Sequence, residues 1–532
     1  MHAPAQDLAA PAQDLAAPTR DAPTARDATT ARNLPAHVHA VVVGSGFAGL
    51  AAAIRLGRSG RDYVVLERGH DVAGTWRDNS YPGCACDVPS HLYSFSFAPN
   101  PDWSRSFSPQ PEIYAYLQRT AANYGVLPHV WFDAEVLAAD WDTRQQHWTV
   151  RSAAGELTCD VLILGTGGLS DPSIPALPGL ESFAGTSFHS ATWAHDHDLT
   201  GERVAVIGTG ASAIQFVPEI QPQVARLTVF QRTAPWVLPR RDRAIGAFER
   251  WVYRRVPRLQ KAVRAGIYWG RESWVVGFAV RPSLMKLAEQ RALRDLHRQV
   301  PDPSLRAKLT PSFRLGCKRV LLSNDYYPTL TRPNVEVVTD RIVEIRPHAV
   351  MTVDADGHEA EHPVDTIVFG TGFHVTDPPI AHRIRGRDGA TLAEHWAGTG
   401  MSALHGLTVH GFPNLFVLVG PNTGLGHTSI VFMIETQVRY LVALLEAMAA
   451  RGLRAVEPRH DVQHAENADL QRRLATTVWN AGGCASWYLD SHGRNTTLWP
   501  TFTVTFRRRL ATLRFEEYRV VQRTAAVERL PA

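Results

Sequence analysis

The chain has 532 residues, 45% of them hydrophobic and 20% charged, with a formal net charge of +4. That length supports two or three domains with substantial cores. The charge is too small to imply nucleic-acid binding, and no apolar run of about 18 residues offers a membrane-spanning helix.

Residues 1–35 carry APAQDLA twice in tandem, then a run of Ala, Pro, Thr, Asp and Arg. With almost nothing to bury, this reads as a disordered tail. It lacks the apolar core of a secretion signal, and its aspartates argue against a transit peptide. Five cysteines (Cys84, Cys86, Cys159, Cys317, Cys484) are odd in number and mostly far apart. They argue against a disulfide framework and for a reducing, cytoplasmic setting. Cys84 and Cys86 stand as C-A-C, the spacing of neither a redox dithiol nor a zinc site, so no metal is expected.

The first informative unit is HVHAVVVGSGFAGLAAAIRLGRSGRDYVVLERG. AVVV reads as a buried strand, Gly44, Gly46 and Gly49 as a GxGxxG turn opening a helix, and YVVLE as a second strand ending on Glu67. Such a unit binds a dinucleotide. Gly44 permits the tight turn, Gly46 admits a pyrophosphate at the helix N-terminus, and Gly49 lets helix and strand pack closely. Glu67 is set to bind a ribose hydroxyl pair.

Downstream, DVLILGTGGLS ends a buried strand in Gly-Thr-Gly, and FAGTSFHSATW (Phe183 to Trp193) follows a proline-rich turn. The dinucleotide pattern then returns as ERVAVIGTGASAIQFVPEI, with Gly208, Gly210 and Ala213. Its second strand, RLTVFQR, ends in Arg232 and Thr233 rather than an acid. An arginine and a hydroxyl attract a 2′-phosphate that an acid would repel, which favours NADPH over NADH. A solvated strand-end charge is the alternative for Arg232. DTIVFGTGF repeats the strand and Gly-Thr-Gly ending from Asp365. The reading is an α/β protein with two Rossmann-like dinucleotide-binding domains. An NADPH domain (181–364) is inserted in a discontinuous FAD domain (36–180 and 365–532). FAGTSFHSATW becomes a joint between them: Gly185 turns the backbone, Phe183 and Trp193 pin the segment, and His189 relays hydrogen bonds.

Residues from about 240 to 318 form a helical insertion, with 19 Lys/Arg against 6 Asp/Glu. Its Trp and Phe residues alternate with arginines, which allows weak contact with an anionic membrane surface. The alternative is a helical cap whose arginines are solvated or bind phosphates. Further on, GPNTGLGHTSIVFMIETQ reads as a glycine-rich turn feeding a long helix whose N-terminal N–H groups, at Gly426 to Ser429, point at an electron-rich group.

From about residue 37 onward the chain resembles the type I Baeyer–Villiger monooxygenases, within the larger flavin-containing monooxygenase superfamily. The FxGxxxHxxxW fingerprint stands as Phe183, Gly185, His189 and Trp193, followed by Ala194 where the family commonly has Pro or Asp. AGTWRDNSYPGCACD matches a second signature through Trp76 and Asp87, and GCKRVLLSNDYYP a third through Lys318 and Arg319. The wording of GPNTGLGH and CASWYLDSHGRNTTLWP is similar to the acetophenone-oxidising branch.

The resemblance implies FAD and NADPH as cofactors, with a ketone and O2 as substrates. Ketones become esters or lactones through a C4a-peroxyflavin; N- or S-oxygenation is the alternative chemistry. It implies that Arg319, held by Asp87, steadies the anionic peroxide. Trp76, Asp87 and Tyr93 join the flavin site, and Lys318 joins Arg232 and Thr233 at the 2′-phosphate. Trp487 belongs to a C-terminal loop over NADP+. A monomer or loose dimer is expected. A disulfide reductase is disfavoured for want of a paired dithiol beside the flavin.

Overall fold

The computed structural model describes residues 33–522. Most of the expected N-terminal tail, residues 1–32, lies outside the described residues.

The chain first lays down β1 (His37–Val43), α1 (Phe47–Arg58), β2 (Tyr63–Leu66), β3 (Val130–Trp131), β4 (Val136–Asp142), β5 (His147–Ser152) and β6 (Gly155–Leu164). β1 pairs in parallel with β2 on one side and β6 on the other, while β4, β5 and β6 form an antiparallel meander. Alternation along β1 divides its side chains between two cores: Ala40 and Val42 enter one, Val41 and Val43 the other. That is why AVVV is apolar without a break. A sheet covered on both faces has no polar side to write into the sequence.

The second unit follows with β7 (Thr186–His189), β8 (Arg203–Ile207), α2 (Ala213–Ile220) and β9 (Arg226–Phe230). β10 (Val237–Leu238) then pairs with β11 (Leu321–Leu322) across the helical insertion. The insertion holds α3 (Ala247–Arg255), α4 (Pro257–Glu272), α5 (Met285–Gln299) and α6 (Pro303–Leu309). β12 (Val335–Val338) returns to the second sheet. β13 (Arg341–Arg346), β14 (Ala349–Val353) and β15 (Glu359–Pro363) form a small antiparallel sheet. β16 (Thr366–Phe369) completes the second sheet in the order β12-β9-β8-β16-β7. β17 (Ile384–Arg385) and β18 (Leu415–Val417) rejoin the first sheet, on β4 and β6. α7 (Ile430–Ala450) packs across α1.

One boundary changes here. β16 was expected to open the returning part of the FAD domain at residue 365. It pairs instead with both β8 and β7, so the chain leaves the second unit after it. FAGTSFHSATW, read as a joint, contributes Thr186–His189 as an edge strand in register with β16. Four residues are too few to show periodicity, and only pairing reveals the strand.

The two units repeat one local design. Gly165, just after β6, donates its N–H to Val43 O (2.8 Å), and Gly370, just after β16, donates to Ile207 O (2.9 Å). Each pair brings a Gly-Thr-Gly against a GxG turn. A Cβ on Gly44 would lie 3.0 Å from Gly165 O, and one on Gly208 would lie 2.4 Å from Gly370 O.

Candidate active site

The first nucleotide turn is built as its glycines demand. Gly44 has φ +91°, a conformation few side chains tolerate. A Cβ on Gly49 would fall 1.8 Å from Gly44 O, so only glycine lets α1 start this close to β1. Gly46 caps the helix, leaving its first N–H groups facing outward. Glu67 ends β2 and is buried. Its carboxylate accepts from Ser45 N (2.8 Å), Ser45 Oγ (2.6 Å), Gly69 N (2.9 Å) and Arg77 Nη1 (2.9 Å). With four protein donors on its carboxylate, Glu67 braces the turn at the end of β2. Nearby, Trp76 Nε1 donates to the Tyr93 hydroxyl at 3.1 Å and the rings meet edge to face.

In the second unit Gly208 has φ +111°, and buried Ala213 opens α2 beside Gly370. Gly210 has room: a Cβ there would meet Gly370 O only at 3.7 Å. Beyond β9, Thr233 O accepts from Thr209 Oγ1 at 3.4 Å. Lys318, 86 residues beyond Arg232 in the chain, lies within its electrostatic reach; burial and that like charge hold the ammonium below its ordinary value. Neither cation has a carboxylate partner among the described residues. Two unneutralised cations side by side suit a dianionic phosphate.

The YPG signature docks one unit on the other. Tyr81 donates its hydroxyl to Gln215 Oε1 on α2 (2.9 Å), and Gln215 Nε2 donates to Ala85 O (2.9 Å). Gly83, at φ +75°, faces α2 so closely that a Cβ would sit 2.8 Å from Gln215 O.

Between the units lies a pocket lined by Asp87, Arg271, Trp274, Arg319, His427 and Thr428, among others. Arg319 donates Nε to Asp87 Oδ2 (2.5 Å) and Nη2 to Asp87 Oδ1 (2.6 Å), a two-point fork. Burial opposes both charges, but each outweighs it for the other. Asp87 stays below the ordinary carboxylate range and Arg319 above its own. The cation is therefore permanent and its orientation fixed.

Several pocket residues were not singled out from the sequence. Arg271, at the end of α4, donates Nη2 to Asp87 O at 2.8 Å and lies over the Trp274 ring. The next residue, Glu272, is buried, meets His427 Nε2 at 3.3 Å and accepts from Thr503 N and Oγ1. His427 Nδ1 and Thr428 Oγ1 are buried without a hydrogen-bond partner among the described residues. The glycine-rich turn thus reaches α7, capped by Ser429, with two polar atoms spare beside the pocket. A signal for Glu272 existed: it is the lone acid between Glu249 and Glu289 in a basic segment.

Tyr488, rather than the more exposed Trp487, is the C-terminal aromatic near Arg319. Its hydroxyl is buried and has no hydrogen-bond partner among the described residues, and burial pushes its pKa up to about 12.

The fingerprint residues stand apart from this pocket. Gly185 is not at positive φ; a Cβ there would lie 2.0 Å from Asp365 O and 2.8 Å from the Phe183 ring. Close approach, not a turn, requires glycine. His189 is buried, accepts from Ala191 N through Nδ1 (3.1 Å) and meets Phe373 edge to face. Burial lowers its pKa to about 4, against a weaker opposing contact with the Gly372 backbone, and its Nε2 has no hydrogen bond of normal geometry among the described residues. Trp193 packs on Phe188 and on Phe216 of α2.

The cysteines depart from expectation. Cys317 and Cys484 form a disulfide, with Cα atoms 6.1 Å apart across 167 residues. Folding brings the C-terminal loop back onto the segment before Arg319, which spacing alone cannot reveal. Cys84, Cys86 and Cys159 are free and buried. Burial pushes the Cys84 thiol up to about 12 and the Cys86 thiol upward too, so both stay protonated and unreactive.

Residues 41–267 match the model of the pyridine nucleotide-disulphide oxidoreductase family. A Baeyer-Villiger monooxygenase of Streptomyces coelicolor is 55% identical over 489 residues, covering 91% of this chain and 93% of that protein. One of Pseudomonas aeruginosa is 49% identical, covering 88% and 89%. Among solved structures, cyclohexanone monooxygenase from Rhodococcus sp. Phi1 bound to NADP+ superposes with a TM-score of 0.82 at 27% identity, covering 92% of this chain and 100% of the other. A structure of OTEMO in complex with FAD and NADP gives 0.82 at 27% identity, covering 91% and 99%. The chain belongs to the Baeyer–Villiger monooxygenase family.

Proposed function

We propose that the protein is an FAD- and NADPH-dependent monooxygenase that converts ketones to esters or lactones with O2. The observation that carries this reading is the Arg319–Asp87 fork beside the pocket. Insertion beside a carbonyl needs an anionic oxygen nucleophile, and a fixed, non-titrating cation favours that anion. Heteroatom oxygenation uses an electrophilic, protonated oxygen donor and has no such need.

FAD would rest on the turn of Gly44, Gly46 and Gly49, with Trp76 and Tyr93 at its flank and the start of α7 at its far edge. NADPH would rest on Gly208, Gly210 and Ala213, with Arg232, Thr233 and Lys318 around its 2′-phosphate. The unpaired cations and spare buried polar atoms support that fit. When bound, FAD and NADPH supply hydride transfer and oxygen activation. The chain's own residues do the rest. Arg319 holds positive charge where negative charge develops. Asp87 fixes its angle, and Arg271 braces the Asp87 backbone while adding a second cation. The Glu272–His427 contact anchors the insertion against the turn before α7.

A panel of aryl, cyclic, long-chain and steroid ketones tests the reading, with NADPH consumption and product mass recorded together. Aryl alkyl ketones come first, because of the sequence wording around His427 and Tyr488. A mass gain of one oxygen per NADPH is expected. Consumption with no oxygenated product from any ketone contradicts the assignment.

A further inference from the structure

We propose that the outer face of the helical insertion docks on an anionic lipid surface. Nine of the fifteen exposed large hydrophobic side chains among the described residues lie between Phe248 and Leu287. Exposure this concentrated marks an interaction site rather than scattered surface residues. Phe248 is 76% exposed, Leu287 69%, Trp269 59% and Trp251 52%, and Phe248 stacks on Trp251 in the open.

α4 turns part of its apolar surface outward and several polar side chains inward. Four of its polar residues point inward, while Arg258 and Lys261 stay exposed: Gln260 donates to Asn100 O, Arg264 to His91 O and Ser94 Oγ, Arg271 to Asp87 O, and Glu272 is buried. Its outward stripe holds Leu259, Ala262, Gly266 and Trp269. An apolar stripe turned to water needs a cover.

Charge identifies the cover. Residues 247–299 contain 12 Lys/Arg and 4 Asp/Glu, a net +8, against +4 for the whole chain. All four acids are engaged within the protein: Glu249 by Arg243, Glu289 by Arg314, Asp295 by Arg298, and Glu272 by His427 and Thr503. Arg255, Arg258, Lys261, Arg281 and Lys286 are exposed and have no carboxylate partner among the described residues. A second copy would set +8 against +8 across a two-fold contact, which is repulsive. Tryptophans and leucines set among unpaired cations match the headgroup boundary of an anionic bilayer. Bound this way, the insertion would hold the Arg271 and Trp274 side of the pocket near the lipid. The binding itself does not depend on the reaction assigned above.

Co-sedimentation of the FAD-loaded full chain with vesicles at physiological salt tests the proposal. Vesicles of phosphatidylcholine with 30% phosphatidylglycerol are compared with phosphatidylcholine alone, a composition chosen to give about one headgroup in three a charge. Binding is expected on the anionic vesicles only, with a blue shift of tryptophan emission. The pair Arg258→Glu/Lys261→Glu should weaken it by about tenfold or more. The pair Phe248→Ser/Trp251→Ser should remove the emission shift, with flavin content unchanged in both variants. No binding to anionic vesicles overturns the proposal, as does binding that neither pair alters. So does a mass in solution that doubles for wild type and halves in the variants, which would assign the face to a second copy.

Discussion

Arg319 grips Asp87 through two hydrogen bonds of 2.5 and 2.6 Å, although 232 residues separate them in the chain. The contact joins a residue of the first unit to one just before β11, where the insertion ends. It therefore forms only when both units and the insertion are docked. The insertion itself adds Arg271 to the same carboxylate residue through its backbone.

The proposed preference for NADPH rests on two cations without carboxylate partners among the described residues. Lys318→Ala removes one of them from the neighbourhood of Arg232. KM for NADPH should rise about 10- to 100-fold, the worth of one charged hydrogen bond to phosphate. KM for NADH should change less than about twofold, since it has no 2′-phosphate for the lysine to meet. Equal losses with both coenzymes would move the phosphate site elsewhere.

Gly185→Ala tests why the fingerprint needs glycine. The added carbon would lie 2.0 Å from Asp365 O, so β7 and β16 must separate. A destabilisation of about 1–3 kcal/mol is expected, read as a lower Tm in the FAD-loaded protein. An unchanged Tm would mean that the strand edge yields freely.

His189 has an acid signature. Its folded pKa of about 4 lies below the ordinary 6.5, because burial disfavours the charged ring. The unfolded chain therefore binds an extra proton between those values. Stability is whole above pH 6.5 and is lost as pH falls towards 4, by up to about 3 kcal/mol. His189→Asn keeps an acceptor for Ala191 N–H and cannot titrate. Denaturant curves at pH 7.5 and 4.5 should show a smaller loss for the variant. Parallel losses would assign the acid sensitivity to other groups.

Thiol counting checks the disulfide. The denatured, unreduced protein should expose three thiols, and the reduced protein five. Five in both would place Cys317 and Cys484 among the free thiols.

Elements with local rules were legible in the sequence. Gly44, Gly49 and Gly208 declare a turn and a close approach within a few residues of chain, and the structure uses each as chemistry requires. The Arg319–Asp87 pair was reached through resemblance, since nothing local links residues so far apart. Arg271 and Glu272 were not singled out because an inward-facing polar stripe on a basic helix looks like a solvated face until the fold reverses it. β7 is not legible as a strand, because four edge residues carry too little pattern. The sequence singles out Trp487, whereas Tyr488 is the buried one, because which of two adjacent aromatics turns inward depends on a loop that crosses the domains.

The central claim is that Arg319 serves oxygen insertion and not flavin reduction. Arg319→Ala, loaded with FAD, is mixed with NADPH without oxygen to follow flavin bleaching, then with oxygen and ketone to measure ester per NADPH. The account predicts bleaching within a few-fold of wild type and ester lowered by about 100-fold or more. Ester formed at the wild-type ratio would contradict it.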